Sequence, residues 1–421
     1  MNVLAERYVK LVLSMGQHDA DYVDAYYGPA AWRAEAEATR RSLADIDREA
    51  AEVLVPLTAQ APTADVEDLV RLRHQYLTRQ IGALRARVAM RSGTRFRFDE
   101  ESKALYDAVA PTTPQEAFER VLADLDAKLP GQGSPGYGLP GHASVLDRYE
   151  AFRRGYVIPT ARLDATFRAA IDGCRARTRA HLMLPEGERF TVEYVTGKTW
   201  SGYNWYQGDY RSLIQVNTDL PIYVDRAIDL ACHEGYPGHH VYNVLLEQHL
   251  VRGRGWVEFS VYPLFSPQSL IAEGTANYGI DVAFPRADRV AFEREVIFPA
   301  AGIDPASADR YYEVQALVDR LSYAGNEAAR RYLDGEIDAP AAVAWLERFG
   351  LYARPRAEQR VRFIDQYRSY VINYNLGKDM VAGYVESLGG TAADPSQRWA
   401  VFGALLSSPR LPSGLGVRDG K

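Results

Sequence analysis

The residues with the clearest chemical potential lie in one short segment, which reads Cys-His-Glu-Gly-Tyr-Pro-Gly-His-His over residues 232–240. Three of the chain's eight histidines fall within it, and Glu234 directly follows the first of them, His233. Imidazole is the commonest metal ligand in proteins, and a carboxylate beside it can act as a further ligand or as a general base. The segment therefore predicts a metal site, for which Zn²⁺ is the expected ion.

The spacing of these histidines differs from the His-Glu-x-x-His pattern of zinc proteases, because Pro237 occupies the fifth position. On an unbroken helix, six or seven residues span roughly 9 to 10.5 Å. That separation is too large for two imidazoles bonded to one zinc ion at about 2.0 to 2.1 Å. Pro237 and Gly238 can interrupt a helix, so we expect a bulge that folds a second histidine back towards His233. His239 is the preferred second ligand, since Pro-Gly then acts as a two-residue insertion. His240, which has the better helical phase, is the alternative.

A third ligand is available further along the chain. Glu273 lies in a segment of apolar and small residues that predicts a helix, where a charge is costly unless it is paired or bound to metal. Asn277 follows one helical turn later on the same face and could hold a ligand by a hydrogen bond. We expect Glu273 to complete a zinc site with the two histidines, leaving a position open for water. Glu234 would take the proton of that water. The alternative for Glu273 is a buried pair with an arginine.

Two motifs resemble those of a known family. His-Glu-Gly-Tyr-Pro-Gly-His-His at 233–240, followed by Ala-Glu-Gly-x-Ala-x-Tyr at 272–278, resembles the bacterial family catalogued as domain of unknown function 885. That family carries a His-Glu-x-x-Pro-Gly-His-His signature and is grouped with gluzincin-type metallopeptidases. Residues 369–378 are similar to a late Tyr-x-Leu-Gly helix of the Taq-type metallocarboxypeptidases, and loosely to the tyrosine-rich helix of thimet oligopeptidase relatives. The sequence departs from the family's usual continuation at Thr275 and Ile280.

The resemblance implies a mainly α-helical, gluzincin-like metallopeptidase fold with a small antiparallel β-sheet next to the zinc helix. It also implies that Tyr374 or Tyr370 donates a hydrogen bond to the oxyanion of the reaction, and four-residue spacing places both on one helical face. In proteins of this kind an edge strand pairs with an extended substrate. We expect residues 212–217 to form that edge, with Asn217 and Tyr206 beside the substrate.

Arginines could also contact the substrate, because a guanidinium binds a carboxylate through two parallel hydrogen bonds. Arg310, Arg320 and Arg368 are available in the C-terminal half, and we take Arg320 as the candidate.

Composition limits the partners and the location. A net charge of −6 and a pI of about 5.8 argue against nucleic acid. No apolar run reaches the roughly 18 residues needed to cross a bilayer, and the first 13 residues include charged side chains, so we expect neither a membrane partner nor a signal peptide. The two cysteines, Cys174 and Cys232, give no disulfide framework, and we therefore expect a cytoplasmic protein. The oligomeric state is not predicted.

Helical periodicity and turn residues divide the chain into segments. We predict an N-terminal helical scaffold (1–129), a Gly/Pro-rich loop (130–144), a zinc-binding catalytic region (145–406) with a small sheet at about 188–217, and a loose C-terminal tail (407–421), together forming one compact unit. Long helices are predicted over residues 3–27, 30–55, 221–250 (interrupted at Pro237), 304–334 and 357–387.

These observations predict a zinc-dependent hydrolase that cleaves peptide or peptide-like amide bonds with a glutamate general base. Two alternatives share the same residues. One is a zinc amidohydrolase that acts on a non-peptide small molecule, and the other is a zinc-bearing binding protein without turnover.

Overall fold

The computed structural model describes residues 1–63, 65–131 and 143–416. The described chain is mainly helical with two small sheets, one of them a two-stranded antiparallel pair, which confirms the predicted mainly α fold with a small antiparallel sheet. Most of the predicted Gly/Pro-rich loop and the last five residues lie outside the described ranges. The helices are α1 (Asn2–Gly16), α2 (Ala30–Thr39), α3 (Leu43–Ala59), α4 (Asp68–Arg91), α5 (Phe98–Tyr106), α6 (Gln115–Lys128), α7 (Val145–Arg153), α8 (Leu163–Arg179), α9 (Asp225–Leu230), α10 (His239–Leu246), α11 (Pro267–Ala283), α12 (Arg286–Phe292), α13 (Phe298–Ala301), α14 (Ala308–Asp319), α15 (Ala324–Leu333), α16 (Ala339–Phe349), α17 (Arg354–Tyr367), α18 (Ile372–Ser387) and α19 (Pro395–Leu406). The strands are β1 (Val23–Tyr26), β2 (Arg189–Val195), β3 (Gly202–Gly208), β4 (Arg211–Asn217) and β5 (Val261–Pro263).

Several predicted long helices are broken. The helix predicted over 3–27 ends at Gly16, and residues 23–26 instead form β1, which pairs with the distant β5. The helix predicted over 30–55 breaks at Arg40, which has a left-handed φ of 45°, and α3 restarts where the Ser42 hydroxyl accepts a hydrogen bond from Asp45 N at 3.1 Å. The helices predicted over 304–334 and 357–387 are each split in two as well. The largely polar stretches 17–21 and 40–42 coincide with two of these breaks, and the predicted helices were extended across them.

The sheet beside the candidate zinc segment is mixed. Its strand order is β2-β4-β3, with β3 antiparallel to β4 and β2 parallel to it, while the purely antiparallel sheet is the pair β1-β5. The prediction that residues 212–217 form an edge strand is wrong, because β4 is hydrogen-bonded on both sides. Strand order depends on pairing between distant segments, which alternation within one strand does not specify.

Two helices that carry candidate site residues approach each other closely. Gly274 on α11 faces Gly377 on α18, and a Cβ atom added to Gly274 would lie 2.5 Å from the carbonyl of Gly377. The paired glycines therefore allow the two backbones to touch, which a larger residue would prevent. This contact brings Tyr370, in the 3-10 turn directly before α18, next to Glu273 on α11.

The two cysteines form a disulfide, with Cα atoms 5.6 Å apart. Cys174 on α8 and Cys232, directly before the first candidate ligand, are separated by 58 residues in sequence. The expectation of no disulfide is therefore wrong, because helix packing brings the two residues together. Disulfides are rare in reducing compartments, so the cysteines no longer support a cytoplasmic location. Among the described residues, no helix is long and apolar enough to cross a membrane, and a cytoplasmic location stays a prediction.

The C-terminal residues that the structure describes are packed against the body. Leu411, Pro412 and Leu415 are buried, and residues 412–415 form a 3-10 turn next to α18. The tail predicted to be loose is therefore docked up to residue 416. The buried apolar side chains of the described chain form one large cluster from Ala5 to Leu415, with a small second cluster among α15, α16 and α17.

Candidate metal centre

The predicted interruption of the helix that carries the candidate histidines is present. After α9, residues 231–235 form a π-helical turn, the chain bends through Tyr236-Pro237-Gly238, and α10 begins at His239. Gly238 is required at the bend, because a Cβ atom there would lie 1.9 Å from the carbonyl oxygen of His233. The bend places the rings of His233 and His239 with their centres 4.6 Å apart and their planes perpendicular.

Glu273 reaches the same point from α11. Its Oε2 atom lies 3.2 Å from Nε2 of His233 and 3.6 Å from Nε2 of His239. The Glu273 side chain is almost fully buried, and burial alone would raise its pKa. The charges of the neighbouring imidazoles of His239 and His233 outweigh burial and hold the pKa of Glu273 well below its usual range. Three potential ligand atoms from two separate parts of the chain therefore converge.

The donor atoms fit a zinc ion. Two atoms that are each about 2.0 to 2.1 Å from one tetrahedral zinc ion lie about 3.4 Å apart, which is close to the separations of 3.2 and 3.6 Å between Glu273 and the histidines. The Oε2 atom of Glu273 is buried and has no hydrogen-bond partner in the described chain, an arrangement that a bound cation would satisfy. Two imidazoles and one carboxylate are also a donor set of catalytic zinc sites.

The candidate ligands are held by neighbouring side chains. Nδ1 of His233 lies 3.0 Å from Oδ1 of Asn277, so this contact places the ring proton on Nδ1 and leaves Nε2 free for a metal. The amide of Asn277 donates to the carbonyl oxygen of Tyr374 at 2.9 Å. The hydroxyl of Tyr370 donates to Oε1 of Glu273 at 2.7 Å. Both α11 and α18 therefore orient the site.

Glu234 lies beside the candidate ligands. The ligand atoms of His233, Glu234 and His239 are all within 4.8 Å of one another. The Glu234 side chain is buried, yet it lines the cavity, and no described residue hydrogen-bonds its carboxylate. Burial is the main cause that raises the pKa of Glu234. Gly202 on β3 makes room for this carboxylate, since a Cβ atom there would lie 2.7 Å from Oε1 of Glu234.

His240, the alternative second ligand, points away from the cluster. Its side chain is fully buried, with Nδ1 2.8 Å from the hydroxyl of Ser212 and Nε2 3.0 Å from Oε2 of Glu188. Both ring nitrogens are therefore engaged elsewhere. The structure brings His239 to the cluster and not His240, since α10 begins at His239 and consecutive helical residues diverge in direction.

The three residues predicted to contact substrate do not line the cavity. Asn217 donates to the carbonyl oxygens of Lys198 and Trp200 and so holds the loop after β2. Tyr206 donates to the buried carboxylate of Glu247. Arg320 pairs with Asp124 at 3.0 Å on the outer surface. These predictions are corrected, because strand order and ion-pair partners depend on contacts that sequence spacing does not reveal. Arg310 and Arg368 likewise pair with acidic residues, Glu313 and Glu101.

The cavity that contains the candidate metal site has a volume of about 640 Å³. Tyr370 and Tyr374 both line it, and the hydroxyl of Tyr374 has no hydrogen-bond partner in the parts of the chain that the structure describes. Sequence reasoning missed several lining residues. Of these, Arg356 and Arg360 had a usable signal in their four-residue spacing. The predicted helix began one residue after Arg356, at 357, whereas the observed α17 includes both arginines and places them on one face. The other lining residues that were missed include Asp24, Gly202, Asn204 and Tyr262.

The fold and the site together define a mainly helical protein with a two-histidine, one-carboxylate cluster and a second glutamate beside it. No protein-family model matches the chain, and no curated protein matches it. The family resemblance drawn from the motifs therefore stays a prediction.

Solved structures that are similar to the chain include the following two. One is described as "the putative lipoprotein from Colwellia psychrerythraea", with a TM-score of 0.52 and 14% identity over 92% of this chain and 75% of that one. The other is the M32 carboxypeptidase from Deinococcus radiodurans R1, with a TM-score of 0.47 and 14% identity over 99% of this chain and 92% of that one. The first likeness shows a shared fold, and the second is too distant to support an argument about function.

Proposed function

We propose that this protein is a zinc-dependent hydrolase that cleaves peptide or peptide-like amide bonds. The observation that supports the proposal is the convergence of His233, His239 and Glu273 at separations that suit one zinc ion, with the carboxylate of Glu234 beside them in a cavity. A peptide or a small amide is the proposed partner.

In this proposal, His233, His239 and Glu273 hold the metal. A zinc ion bound there would supply a Lewis acid and would lower the pKa of a water ligand to about 7. Glu234 acts as general base and then as general acid: its carboxylate accepts a proton from water and passes it to the leaving amine. Its freedom from hydrogen bonds to described residues supports this role, because a carboxylate already engaged by the protein would be a poorer proton acceptor.

The two tyrosines have different proposed roles. The hydroxyl of Tyr370 is used by Glu273 at 2.7 Å, so Tyr370 is proposed as a positioning residue for that ligand. The hydroxyl of Tyr374 faces the same cavity without a partner among the described residues and is the proposed donor to the oxyanion. Burial raises the pKa of Tyr374 well above its usual range, which keeps the hydroxyl protonated and able to donate.

The proposal is tested with Glu234→Gln and a matched control, Glu186→Gln, which makes the same chemical change at an exposed position. Zinc per chain is measured by inductively coupled plasma mass spectrometry, and hydrolysis of a mixed peptide library is followed by liquid chromatography with mass spectrometry. We expect Glu234→Gln to retain zinc and to lose about 10²- to 10⁴-fold in rate, while Glu186→Gln retains both.

Other outcomes separate the alternatives. Loss of zinc from Glu234→Gln would reassign Glu234 as a ligand. Zinc bound by the wild-type protein, without hydrolysis of peptides but with hydrolysis of small-molecule amides, would favour the non-peptide amidohydrolase. Zinc without any turnover would favour a binding protein, and absence of zinc binding would contradict the proposal.

A further inference from the structure

The positively charged side chains that line the cavity fall into two groups. The first group consists of Arg226, Arg286, Arg289 and Lys378, each of which contacts a carboxylate or a backbone carbonyl oxygen at 2.6 to 3.2 Å. Arg356 and Arg360, both on α17, make up the second group, and neither has a carboxylate within 4.0 Å in the described chain.

Arg356 is held in place by neutral partners only. Its guanidinium donates to Oε1 of Gln359 at 2.6 Å and to the hydroxyl of Ser201 at 3.1 Å. Burial is the main cause that lowers the pKa of Arg356, to about 10, and the charges of Arg226 and Arg360 add to it. This part of the cavity therefore carries positive charge that the surrounding protein does not neutralise.

Arg360 follows Arg356 by four residues, so both side chains lie on one face of α17. Its Nε atom is buried and has no hydrogen-bond partner among the described residues. The guanidinium instead lies over two aromatic rings, 4.7 Å from the centre of Phe363 and 5.6 Å from the centre of Tyr374. A buried charged donor without an acceptor is costly, and such a cost is offset when a ligand supplies the acceptor.

Both arginines are linked to the candidate metal centre. Ser201, which accepts from Arg356, directly precedes Gly202, the residue that makes room for Glu234. Tyr374, whose ring lies under Arg360, accepts through its carbonyl oxygen from Asn277, which contacts a candidate ligand. An anion bound by the two arginines would therefore share the cavity with the candidate metal and general base.

We propose that Arg356 and Arg360 form a subsite that binds a carboxylate of the substrate. Guanidinium groups match a carboxylate with two parallel hydrogen bonds, which gives orientation as well as attraction. The carboxylate could come from the C-terminus of a peptide or from an acidic side chain, and both sources present the same chemistry. This inference rests on the proposed function for the nature of the substrate, but the binding step is measurable without turnover.

The test uses zinc-loaded Glu234→Gln protein and libraries of N-acetylated tetrapeptides. One library ends in a free carboxylate, a second has the same neutral residues with a C-terminal amide, and a third is amidated but contains Asp or Glu. Bound peptides are separated by ultrafiltration and quantified by mass spectrometry. We expect enrichment of a carboxylate-bearing library over the neutral amides. Whether the first or the third library is enriched identifies the source of the carboxylate.

The arginines are then replaced in the same background. Arg356→Gln with Arg360→Gln should reduce the enrichment by about tenfold or more without changing the retention of neutral amides or the zinc content. Arg354→Gln is the matched control, since Arg354 lies on the same helix but is exposed and contacts Glu358. If the double variant does not fold by circular dichroism, Arg360→Gln alone provides the test, because Arg360 makes no hydrogen bond with a described residue.

Two results would overturn the inference: no preference for carboxylates in the parent protein, or a preference that the arginine replacements leave intact. Failure of this inference is distinguishable from failure of the proposed function. If replacement of Arg356 and Arg360 leaves the rate of hydrolysis unchanged, only the proposed subsite is contradicted. Carboxylate binding that depends on them, in a protein that hydrolyses no amide, contradicts only the proposed reaction.

Discussion

Replacement of Glu188 by glutamine tests the buried network behind the candidate metal centre. Glu188 is 2% exposed and lies directly before β2. Its carboxylate accepts hydrogen bonds from the hydroxyl of Tyr236 at 2.6 Å, from Nε2 of His240 at 3.0 Å and from Arg179. These contacts tie the sheet to the bend that places His239. Glu188→Gln keeps the size of the side chain and removes its negative charge.

The expected cost follows from the pKa of Glu188. Burial alone would raise that pKa, but hydrogen bonds from His240, Tyr236 and Arg179 outweigh burial and lower it from 4.5 to about 2. This lowering corresponds to about 3 kcal/mol of folding stability at pH 7. Because the folded pKa is depressed, the contribution is complete above pH 4.5 and is lost as the pH falls towards 2. At pH 3 about 1 kcal/mol should remain.

Thermal unfolding measures this effect. With an unfolding entropy of roughly 2.1 cal/mol/K per residue, 3 kcal/mol lowers the melting temperature of a chain of this length by about 3 °C. We expect Glu188→Gln to melt about 3 °C below the wild-type protein at pH 7, with a much smaller difference at pH 3. Glu186→Gln is the control, because Glu186 is exposed two residues earlier, and it should leave the melting temperature unchanged at both pH values. Equal melting of Glu188→Gln and the wild-type protein at pH 7, or an equal difference at pH 7 and pH 3, would refute the reasoning.

Three further perturbations test other parts of the account. Asn277→Ala removes the hydrogen bond to the first histidine and should weaken zinc affinity by about 10- to 100-fold, measured by competition with a chelator; unchanged affinity would contradict the orienting role. Gly274→Ala forces a Cβ atom against the backbone of Gly377 and should lower the melting temperature, whereas Gly383→Ala, with open space around it, should not; equal effects would argue against the close helix contact. Tyr374→Phe should reduce the catalytic rate by about 10²- to 10³-fold with zinc retained, as measured in the peptide assay; an unchanged rate would exclude Tyr374 as the oxyanion donor.

The sequence predicted those features that depend on local chemistry. Proline and glycine after the first histidine indicated a bend, and a glutamate within an apolar helix indicated a buried ligand. The structure has the bend at 236–238 and places the buried carboxylate of Glu273 next to His233 and His239. The role of Glu273 as a ligand stays a prediction. Each of these features has a cost, either a steric clash or a buried charge, that few arrangements relieve.

Features that depend on contacts between distant segments were not predictable from spacing. The central position of β4, the partners of Arg320 and Asn217, and the disulfide of Cys174 and Cys232 all arise from tertiary packing. The choice between His239 and His240 also depended on where α10 begins. A one-residue change in that start would exchange the two side chains between the metal cluster and the Glu188 network.

The central claim is that two histidines and a distant carboxylate hold one zinc ion. The most direct test is a crystal structure of the zinc-loaded protein with anomalous diffraction recorded on both sides of the zinc absorption edge. The account predicts one zinc ion per chain, bonded at about 2.0 to 2.2 Å to Nε2 of His233, Nε2 of His239 and a carboxylate oxygen of Glu273, with no protein atom in the fourth position. An anomalous peak elsewhere, or a first coordination shell that includes Glu234 or lacks Glu273, would contradict it.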